Sequence, residues 1–267
     1  MSSRQLTEIF LQVKDQDSRV MECHVLSSGS DRNGYILTNG EETLLIETGV
    51  KLSTVKKALN YNMKSIVACL LSHEHNDHAG YIESYLKAGI LVMTSEDTLK
   101  AKSVTQNRHF TRIVKPGKGY KAGRFKIIPF EVHHDVTCYG YHIHHPETGN
   151  IMFLTDSFMC DYVFNDLSHI IIEANYSDEI LERNIIEGRV NPAMRPRLLK
   201  THMEISTTKT TILANDISKV RNIILIHLSN GNSHAENFVR TIREATGIPN
   251  VFAAEKNMII DLNAEPF

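Results

Sequence analysis

The stretch LLSHEHNDHAG, residues 70–80, places three histidines and an aspartate within six positions, directly after an apolar run. On a loop between a buried strand and a helix, His73 and His75 can turn toward one ion while Asp77 and His78 turn toward another. Imidazole together with carboxylate suits Zn²⁺, with manganese or iron as alternatives. A solvated turn, or a histidine that caps the following helix, is the competing interpretation. Three histidines and an acid at this spacing favour a metal site.

The remaining composition is that of an ordinary globular protein of 267 residues. Apolar residues make up 42%, charged residues 22%, and the net charge is -2. These values exclude the basic excess of a dedicated nucleic-acid-binding protein, so any phosphate recognition must be local. No apolar run has membrane-spanning length, and the segment MSSRQLTEIF lacks the hydrophobic region of a secretory signal. We therefore expect a cytoplasmic protein that makes no contact with a membrane.

The cysteines do not add a second metal motif. Cys23, Cys69, Cys138 and Cys160 are widely scattered and have none of the paired spacing of zinc ribbons or redox motifs. Reduced and mostly buried thiols are the expectation.

The pattern of apolar residues predicts alternating strands and helices. RVMECHVL and YILTNGEETLLIE read as antiparallel strands, with Asn39-Gly40 as a hairpin turn. LSTVKKALNYN predicts a helix capped near Ser53, MKSIVACLLS a buried strand, and AGYIESYLKAG a helix ending at Gly89. Residues 101–150 return to strands, and the remainder alternates again. Because no linker, repeat or low-complexity tract appears, we expect one domain over residues 1–267.

The H-x-H-x-D-H pattern, with a Gly-rich turn and a strand pair upstream, resembles the metallo-β-lactamase fold. The resemblance covers nearly the whole chain and implies an α/β fold, a four-layer α/β/β/α sandwich. Further family ligands lie at strand ends, and candidates occur in the expected order in EVHHD, FLTDS and LIHLS. Within EVHHD, His134 matches better than His133, although both remain open. The resemblance implies one ion held by His73, His75 and His134, a second held by Asp77, His78 and His227, and Asp156 as the bridge.

Two divalent ions about 3.5 to 4 Å apart favour hydrolysis. The stretches IIIEANYS and LKTHMEIS are similar to the phosphodiesterase branch of the fold, which includes tRNA 3′-processing nucleases and YycJ-like proteins. This resemblance implies that Glu173 and His202 assist the leaving oxygen, since a histidine held by a carboxylate can supply a proton. We count Asp77 with them as catalytic. A strand-end acid and a helix N-terminal residue are the ordinary alternatives for Glu173 and His202.

A basic segment, RVNPAMRPRLLKTH, lies between Gly188 and His202. Guanidinium groups suit phosphate oxygens, although some of these charges belong to an ordinary solvated surface. The two prolines predict a structured cover over a site rather than a helix. The residues concerned are Arg189, Arg195, Arg197, Lys200, Pro192 and Pro196.

Only about twenty residues separate His134 from Asp156, which leaves room for a strand hairpin but not for the protruding arm of the tRNA-processing nucleases. A small substrate is therefore expected. The anti-Pycsar phosphodiesterases of phages, another compact group, imply hydrolysis of 3′,5′-cyclic nucleotides to nucleoside monophosphates, in the cytoplasm of a host cell if the chain is phage-encoded. The alternatives are a YycJ-like DNA exonuclease and a non-catalytic metal-binding interaction protein. The relatives also imply a homodimer, with Zn²⁺ or Mn²⁺ as cofactor.

Two departures from the family pattern bear on the site. Families of this fold often have aspartate in "IDTG", where this chain has Glu47 in LLIETG, and the longer side chain puts its orienting role in doubt. The loop SSGSDRNG keeps only the Asn33-Gly34 end of the usual turn. Phe158, Tyr162 and Tyr176 are expected to pack in the core rather than to stack on a base.

Overall fold

We describe residues 20–263 of a computed structural model. The segment MSSRQLTEIF, for which we expect no secretory signal, lies outside the described residues. The strands are β1 Glu22–Ser27, β2 Gly34–Thr38, β3 Thr43–Ile46, β4 Ile66–Leu70, β5 Val92–Thr94, β6 Thr111–Ile113, β7 Tyr120–Ala122, β8 Phe125–Val132, β9 Cys138–His145, β10 Gly149–Leu154, β11 Leu167–Glu173, β12 Asn222–Ile226, β13 Val251–Ala253 and β14 Ile259–Asp261. The α-helices are α1 Leu52–Ala58, α2 Asn76–Ala79, α3 Ile82–Lys87, α4 Glu96–Ala101, α5 Asp178–Ile186, α6 Arg195–Thr201, α7 Ile205–Ala214 and α8 Ala235–Thr246.

The strands form two sheets of seven. The first has the order β14-β1-β2-β3-β4-β5-β6, and the second β13-β12-β11-β10-β9-β8-β7. In the first sheet, β2 and β3 form the antiparallel hairpin predicted at Asn39-Gly40, and β3 to β6 run parallel. In the second, β7 to β10 form an antiparallel meander, and β10 to β13 run parallel. The short β9–β10 connection confirms that no arm separates His134 from Asp156.

Three apolar clusters correspond to the three contacts between four layers. Residues of both sheets, among them Val25, Phe125 and Ile224, share the central core. The outer face of the first sheet packs against α1, α3 and α4, and that of the second sheet packs against α7 and α8. The predicted α/β/β/α sandwich is therefore confirmed. The single domain over residues 1–267 stays a prediction.

The parallel portions of the two sheets position the polar residues. In a parallel arrangement the carboxyl ends of neighbouring strands lie at one edge, where open α/β sheets bind their ligands. Glu47 follows β3, the histidine motif follows β4, and Asp156 follows β10. Glu173 ends β11, and His227 follows β12. The polar residues at the ends of these buried strands therefore lie together at one edge of the sandwich.

Some local predictions were wrong. Ser53 does not cap α1, because the helix begins at Leu52 with Lys51 as its cap and no side-chain capping hydrogen bond. The basic segment is helical at Arg195–Thr201, since Pro196 lies in the first turn, where its missing N–H costs nothing. Helix α4 was not predicted, although Ser95 caps it by accepting a hydrogen bond from the N–H of Thr98. Within residues 20–263, no helix has the length and apolarity needed to cross a membrane.

Candidate metal centre

The histidine motif is held in place by the upstream loop. The backbone N–H of Asn33 donates to the carbonyl of Asp77 at 2.8 Å, and that of Thr48 donates to the carbonyl of His78 at 2.8 Å. A Cβ at Gly49 would lie 1.7 Å from the carbonyl oxygen of Asp77. Only glycine permits this approach of loop to motif. The turn after β3 therefore fixes the backbone that carries Asp77 and His78.

The first predicted ligand group comes together as expected. Ligand atoms of His73, His75 and His134 lie within 4.8 Å of one another. Nε2 of His134 is 3.2 Å from Nδ1 of His75, and the ring of His73 is 4.7 and 4.8 Å from the rings of His75 and His134. Three imidazoles from two loops thus converge on one point.

The second predicted group also converges. Nε2 of His78 lies 3.1 Å from Oδ2 of Asp77 and 3.0 Å from Oδ2 of Asp156. Nε2 of His227 lies 3.4 Å from the same Asp77 oxygen and 3.7 Å from the same Asp156 oxygen. Ligand atoms of Asp156 also lie within 4.8 Å of those of His73 and His78. Asp156 is therefore placed between the two groups, as a bridging residue must be.

The two histidines of EVHHD lie in different surroundings. His134 faces the cluster, and its Nδ1 donates to the carbonyl of Thr201 at 3.0 Å, which leaves Nε2 toward His75. The exposed His133 turns away and pairs with Asp161 at 2.6 Å. The geometry therefore favours His134 over His133 as the ligand.

Glu173 connects the second group to His202. Its carboxylate is completely buried, and Oε1 lies 2.7 Å from Nδ1 of His202 and 3.2 Å from Nδ1 of His227. Oε2 accepts hydrogen bonds from the N–H groups of Ser157 and Met203, at 3.0 and 3.2 Å. A carboxylate can only accept, so His202 carries hydrogen on Nδ1 and has Nε2 free for the site. Glu173 therefore sets the tautomer of the His202 ring.

The electrostatics match these roles. Burial acts to lower the pKa of His202, but the charge and hydrogen bond of Glu173 outweigh it and raise that pKa. Burial acts to raise the pKa of Asp156, whereas the charges of His227 and His78 hold it well below its usual range. For His73, burial together with the neighbouring His78 lowers the pKa well below the ordinary value. The site therefore contains a neutral imidazole, an ionised carboxylate and a histidine that favours its protonated form.

An unpartnered nitrogen tests whether the residues fit a metal ion. Nδ1 of His73 contacts the Ser72 hydroxyl at 2.8 Å, whereas its buried Nε2 has no hydrogen-bond partner among residues 20–263. An unsatisfied buried nitrogen costs free energy unless something binds it. A nitrogen of this kind, with imidazole nitrogens and carboxylate oxygens around it, belongs to a donor set that fits divalent transition metals. These residues therefore fit the predicted pair of ions.

The strand-end residues adopt an uncommon backbone conformation. Glu47, Asp156 and His227 have φ of 68°, 49° and 56°, in the left-handed region that non-glycine residues seldom occupy. Such strain concentrates at functional sites. At Glu47 it brings Oε1 to 3.4 Å from Nδ1 of His78, while Oε2 accepts from the N–H of Ser72 at 3.4 Å. The longer side chain thus still contacts a histidine of the site.

The basic segment contacts the site mainly through its backbone. The carbonyl of Thr201, at the end of α6, holds His134. Arg195 pairs with Glu182 at 3.1 Å, and Arg189 pairs with Glu187 at 2.7 Å, so both are engaged elsewhere. These two arginines behave as the ordinary surface charges that the sequence allowed.

The three aromatic residues near the site differ in how far their side chains are buried. Tyr176 is buried, as predicted, and Phe158 is half-buried against the ring of His133. Tyr162 is 40% exposed, so the prediction that it packs in the core was wrong. It lies over Phe130 at the sheet surface because the loop after Asp156 passes outside the sandwich.

The fold recurs in proteins of known structure. The metallo-β-lactamase fold protein YhfI from Bacillus subtilis superposes with a TM-score of 0.67, covering 90% of this chain and 99% of that chain at 17% identity. The chain has the metallo-β-lactamase fold. The two histidine-rich groups occupy the edge of the metallo-β-lactamase sandwich at which the strands of both sheets end.

Sequence comparisons identify relatives of this chain. The family model of the Anti-Pycsar protein Apyc1 matches residues 26–122. The Exodeoxyribonuclease WalJ of Streptococcus pneumoniae is 25% identical over 233 residues, which cover 79% of this chain and 83% of WalJ. The Exodeoxyribonuclease YycJ of Bacillus anthracis is 23% identical over 227 residues, covering 79% of this chain and 84% of YycJ. The resemblance of this metallo-β-lactamase-fold chain to both groups is thereby confirmed.

Proposed function

We propose that this chain is a dinuclear-metal phosphodiesterase. The observation that carries the proposal is the Glu173–His202 pair, 2.7 Å apart and adjoining the group of Asp156 and His227. When bound, two divalent ions would activate a water molecule and neutralise charge on the phosphoryl oxygens. His73, His75 and His134 would hold one ion, and Asp77, His78 and His227 the other, with Asp156 shared. Zinc is the ion that we expect, with manganese as the alternative.

The chain's own residues then complete the hydrolysis. A water molecule bonds to phosphorus through its oxygen and releases one proton to the solvent, and the bond between phosphorus and the ester oxygen breaks. The departing alkoxide takes the proton from Nε2 of protonated His202. Glu173 keeps Nδ1 of His202 protonated and stabilises the cationic ring, consistent with its raised pKa. An alkoxide is a poor leaving group, which explains why a proton donor adjoins the metal ligands.

We propose 3′,5′-cyclic nucleotides as the substrates, with nucleoside monophosphates as products. The match to the Anti-Pycsar protein Apyc1 family, the short β9–β10 hairpin and the net charge of -2 support a small substrate over a large folded nucleic acid. A homodimer and a cytoplasmic location remain part of the proposal. If the chain is phage-encoded, its activity would end a second-messenger signal of the host cell.

A second candidate function is that of a DNA exonuclease. Its support is the similarity to WalJ and YycJ, both named exodeoxyribonucleases, over 79% of this chain. The same residues would cleave a DNA end, because the bond broken is again a phosphodiester bond. The two candidates differ only in what surrounds the scissile phosphate.

Product identification tests the proposal. The zinc-loaded protein would be incubated with a panel of 3′,5′-cyclic nucleotides and short DNA strands, and the products identified by mass spectrometry. We expect nucleoside monophosphates from the cyclic nucleotides and none with Asp156→Asn, which removes the bridging carboxylate. Release of mononucleotides from DNA ends, with cyclic nucleotides left intact, would reverse the ranking. No product from either class would contradict phosphodiesterase function.

A further inference from the structure

A polar cleft lies between α5 and α8. Its volume is about 510 Å³, and its walls carry Arg183, Arg189, Arg240 and His234, with Glu179 as the acidic residue. Arg189 pairs with Glu187 at 2.7 Å, which leaves the guanidinium groups of Arg183 and Arg240 as the cationic groups available to a ligand. This volume is sufficient for a nucleotide unit.

The acidic neighbours only partly neutralise this cleft. Arg183 lies 3.7 Å from Glu179, but both side chains are more than half exposed, so the pair contributes little. Arg240 donates to the side-chain amide oxygen of Asn237 at 3.1 Å, which directs the guanidinium group along α8 without cancelling its charge. Both arginines can therefore donate to a ligand.

Two further contacts give the cleft a defined shape. Nδ1 of His234 accepts from the N–H of Asn237, so Nε2 of a neutral His234 carries a hydrogen and can donate. The buried Asn184 donates to the carbonyl of Gly231 at 2.8 Å and accepts from Arg189 at 3.2 Å. Asn184 thus forms hydrogen bonds with two residues that line the cleft, one of which is an arginine.

The cleft is connected to the candidate metal centre by two short loops. Ser177 and Gly231 line the cleft, and each lies four residues beyond a residue of the site, Glu173 and His227 respectively. Four residues span at most about 14 Å. The cleft therefore begins within the length of two or three nucleotides from the site.

We propose that this cleft binds backbone phosphates of a single-stranded DNA substrate, at a position two or three nucleotides from the scissile bond. The proposal rests on the nuclease candidate above and goes beyond it by assigning a second binding site to the chain. A cyclic nucleotide is too short to occupy the site and the cleft together. The arginines of the cleft therefore distinguish polymeric from cyclic substrates.

Binding measurements on the zinc-loaded protein test the proposal. The probe is a fluorescein-labelled strand of ten deoxythymidines with a phosphorothioate backbone, which resists hydrolysis, and the readout is fluorescence anisotropy against salt concentration. The test variant is Arg183→Ala/Arg240→Ala. The control is Arg108→Ala/Arg112→Ala, which removes the same charge from exposed positions at the edge of the first sheet.

We expect the cleft variant to raise Kd by roughly tenfold and to reduce the slope of log Kd against log salt by about 1.4, as loss of two phosphate contacts on a single strand predicts. The control should keep the wild-type Kd and slope. Absence of strand binding by the wild type, or equal effects of the two variants, would overturn the proposal. Hydrolysis of bis(4-nitrophenyl) phosphate by all three proteins at one rate would separate failure at the cleft from failure of the phosphodiesterase.

Discussion

Glu173 and His202 form a carboxylate–imidazole pair with a fully buried carboxylate, in which Oε1 of Glu173 lies 2.7 Å from Nδ1 of His202. The same oxygen also lies 3.2 Å from Nδ1 of His227. Glu173 therefore joins the proposed proton donor to a proposed metal ligand. The other carboxylate oxygen is fixed by two backbone N–H groups, so the pair cannot rotate away from the site.

Glu173→Gln should damage both stability and activity. A glutamine side chain has one accepting oxygen, so it cannot accept both from His202 on one side and from the N–H groups of Ser157 and Met203 on the other. Each unsatisfied donor costs about 1 to 3 kcal/mol, so loss of the two backbone hydrogen bonds predicts a loss of about 2 to 6 kcal/mol in the free energy of unfolding. Denaturant titration with turnover measured on the same samples checks this. Unchanged stability and rate would exclude the role given to Glu173.

His202→Ala should lower the rate without removing metal. On an alkyl phosphodiester we expect a loss of about 10²- to 10⁴-fold, because the alkoxide then departs unprotonated. On bis(4-nitrophenyl) phosphate, whose leaving group needs no proton, the loss should be far smaller. Equal losses on both substrates would remove His202 from proton donation. Retained metal with no measurable turnover by the wild type on any ester would favour the non-catalytic alternative.

His134→Ala and His133→Ala form a matched pair for the first metal group. His134 contacts His75 at 3.2 Å, whereas His133 pairs with Asp161. After zinc loading and gel filtration, His134→Ala should retain about one ion fewer than the wild type, and His133→Ala the full amount. Plasma mass spectrometry measures the number of zinc ions that each variant retains. The opposite result would assign the ligand to His133.

The buried His169 predicts a pH dependence of stability. Burial lowers its pKa from 6.5 to about 4, and its Nδ1 accepts from the side-chain amide of Asn222 at 3.1 Å. Between these two pKa values the unfolded chain binds more protons than the folded one, so stability must fall as pH falls from 6.5 toward 4. The contribution reaches about 3 kcal/mol.

Denaturant titrations of chelator-treated protein at pH 7.5 and 4.5 isolate this contribution. His169→Gln should lose less stability on acidification than the wild type, because the unfolded variant gains no proton at this position. His109→Gln, at an exposed position, serves as the control and should follow the wild type. Parallel loss of stability in all three proteins would show that His169 does not cause the effect.

The sequence predicted the elements of the fold well because their apolar periods are long and unambiguous. The buried strand MKSIVACLLS and the helix ending at Gly89 both occur, since burial on two faces and a left-handed glycine leave few alternatives. The caps were harder to predict. Whether Ser53 or Ser95 caps a helix depends on one hydrogen bond, which tertiary contacts decide.

Within the site, residue types could be read from the sequence, but side-chain directions could not. His133 and His134 differ only in how the loop after β8 turns. The contact of Glu47 with the site depends on a φ of 68°. The identity of the residue as glutamate does not predict that backbone angle. The cleft between α5 and α8 gathers residues from segments more than forty positions apart, so no local pattern signals it.

The central claim is that the two groups of ligands hold two ions. Purified protein loaded with excess zinc and then desalted should contain two ions per chain, counted by plasma mass spectrometry against amino-acid analysis. His227→Ala should reduce the count to about one while His73, His75 and His134 still hold their ion. A wild-type protein that retains fewer than two tightly bound ions per chain would contradict the account.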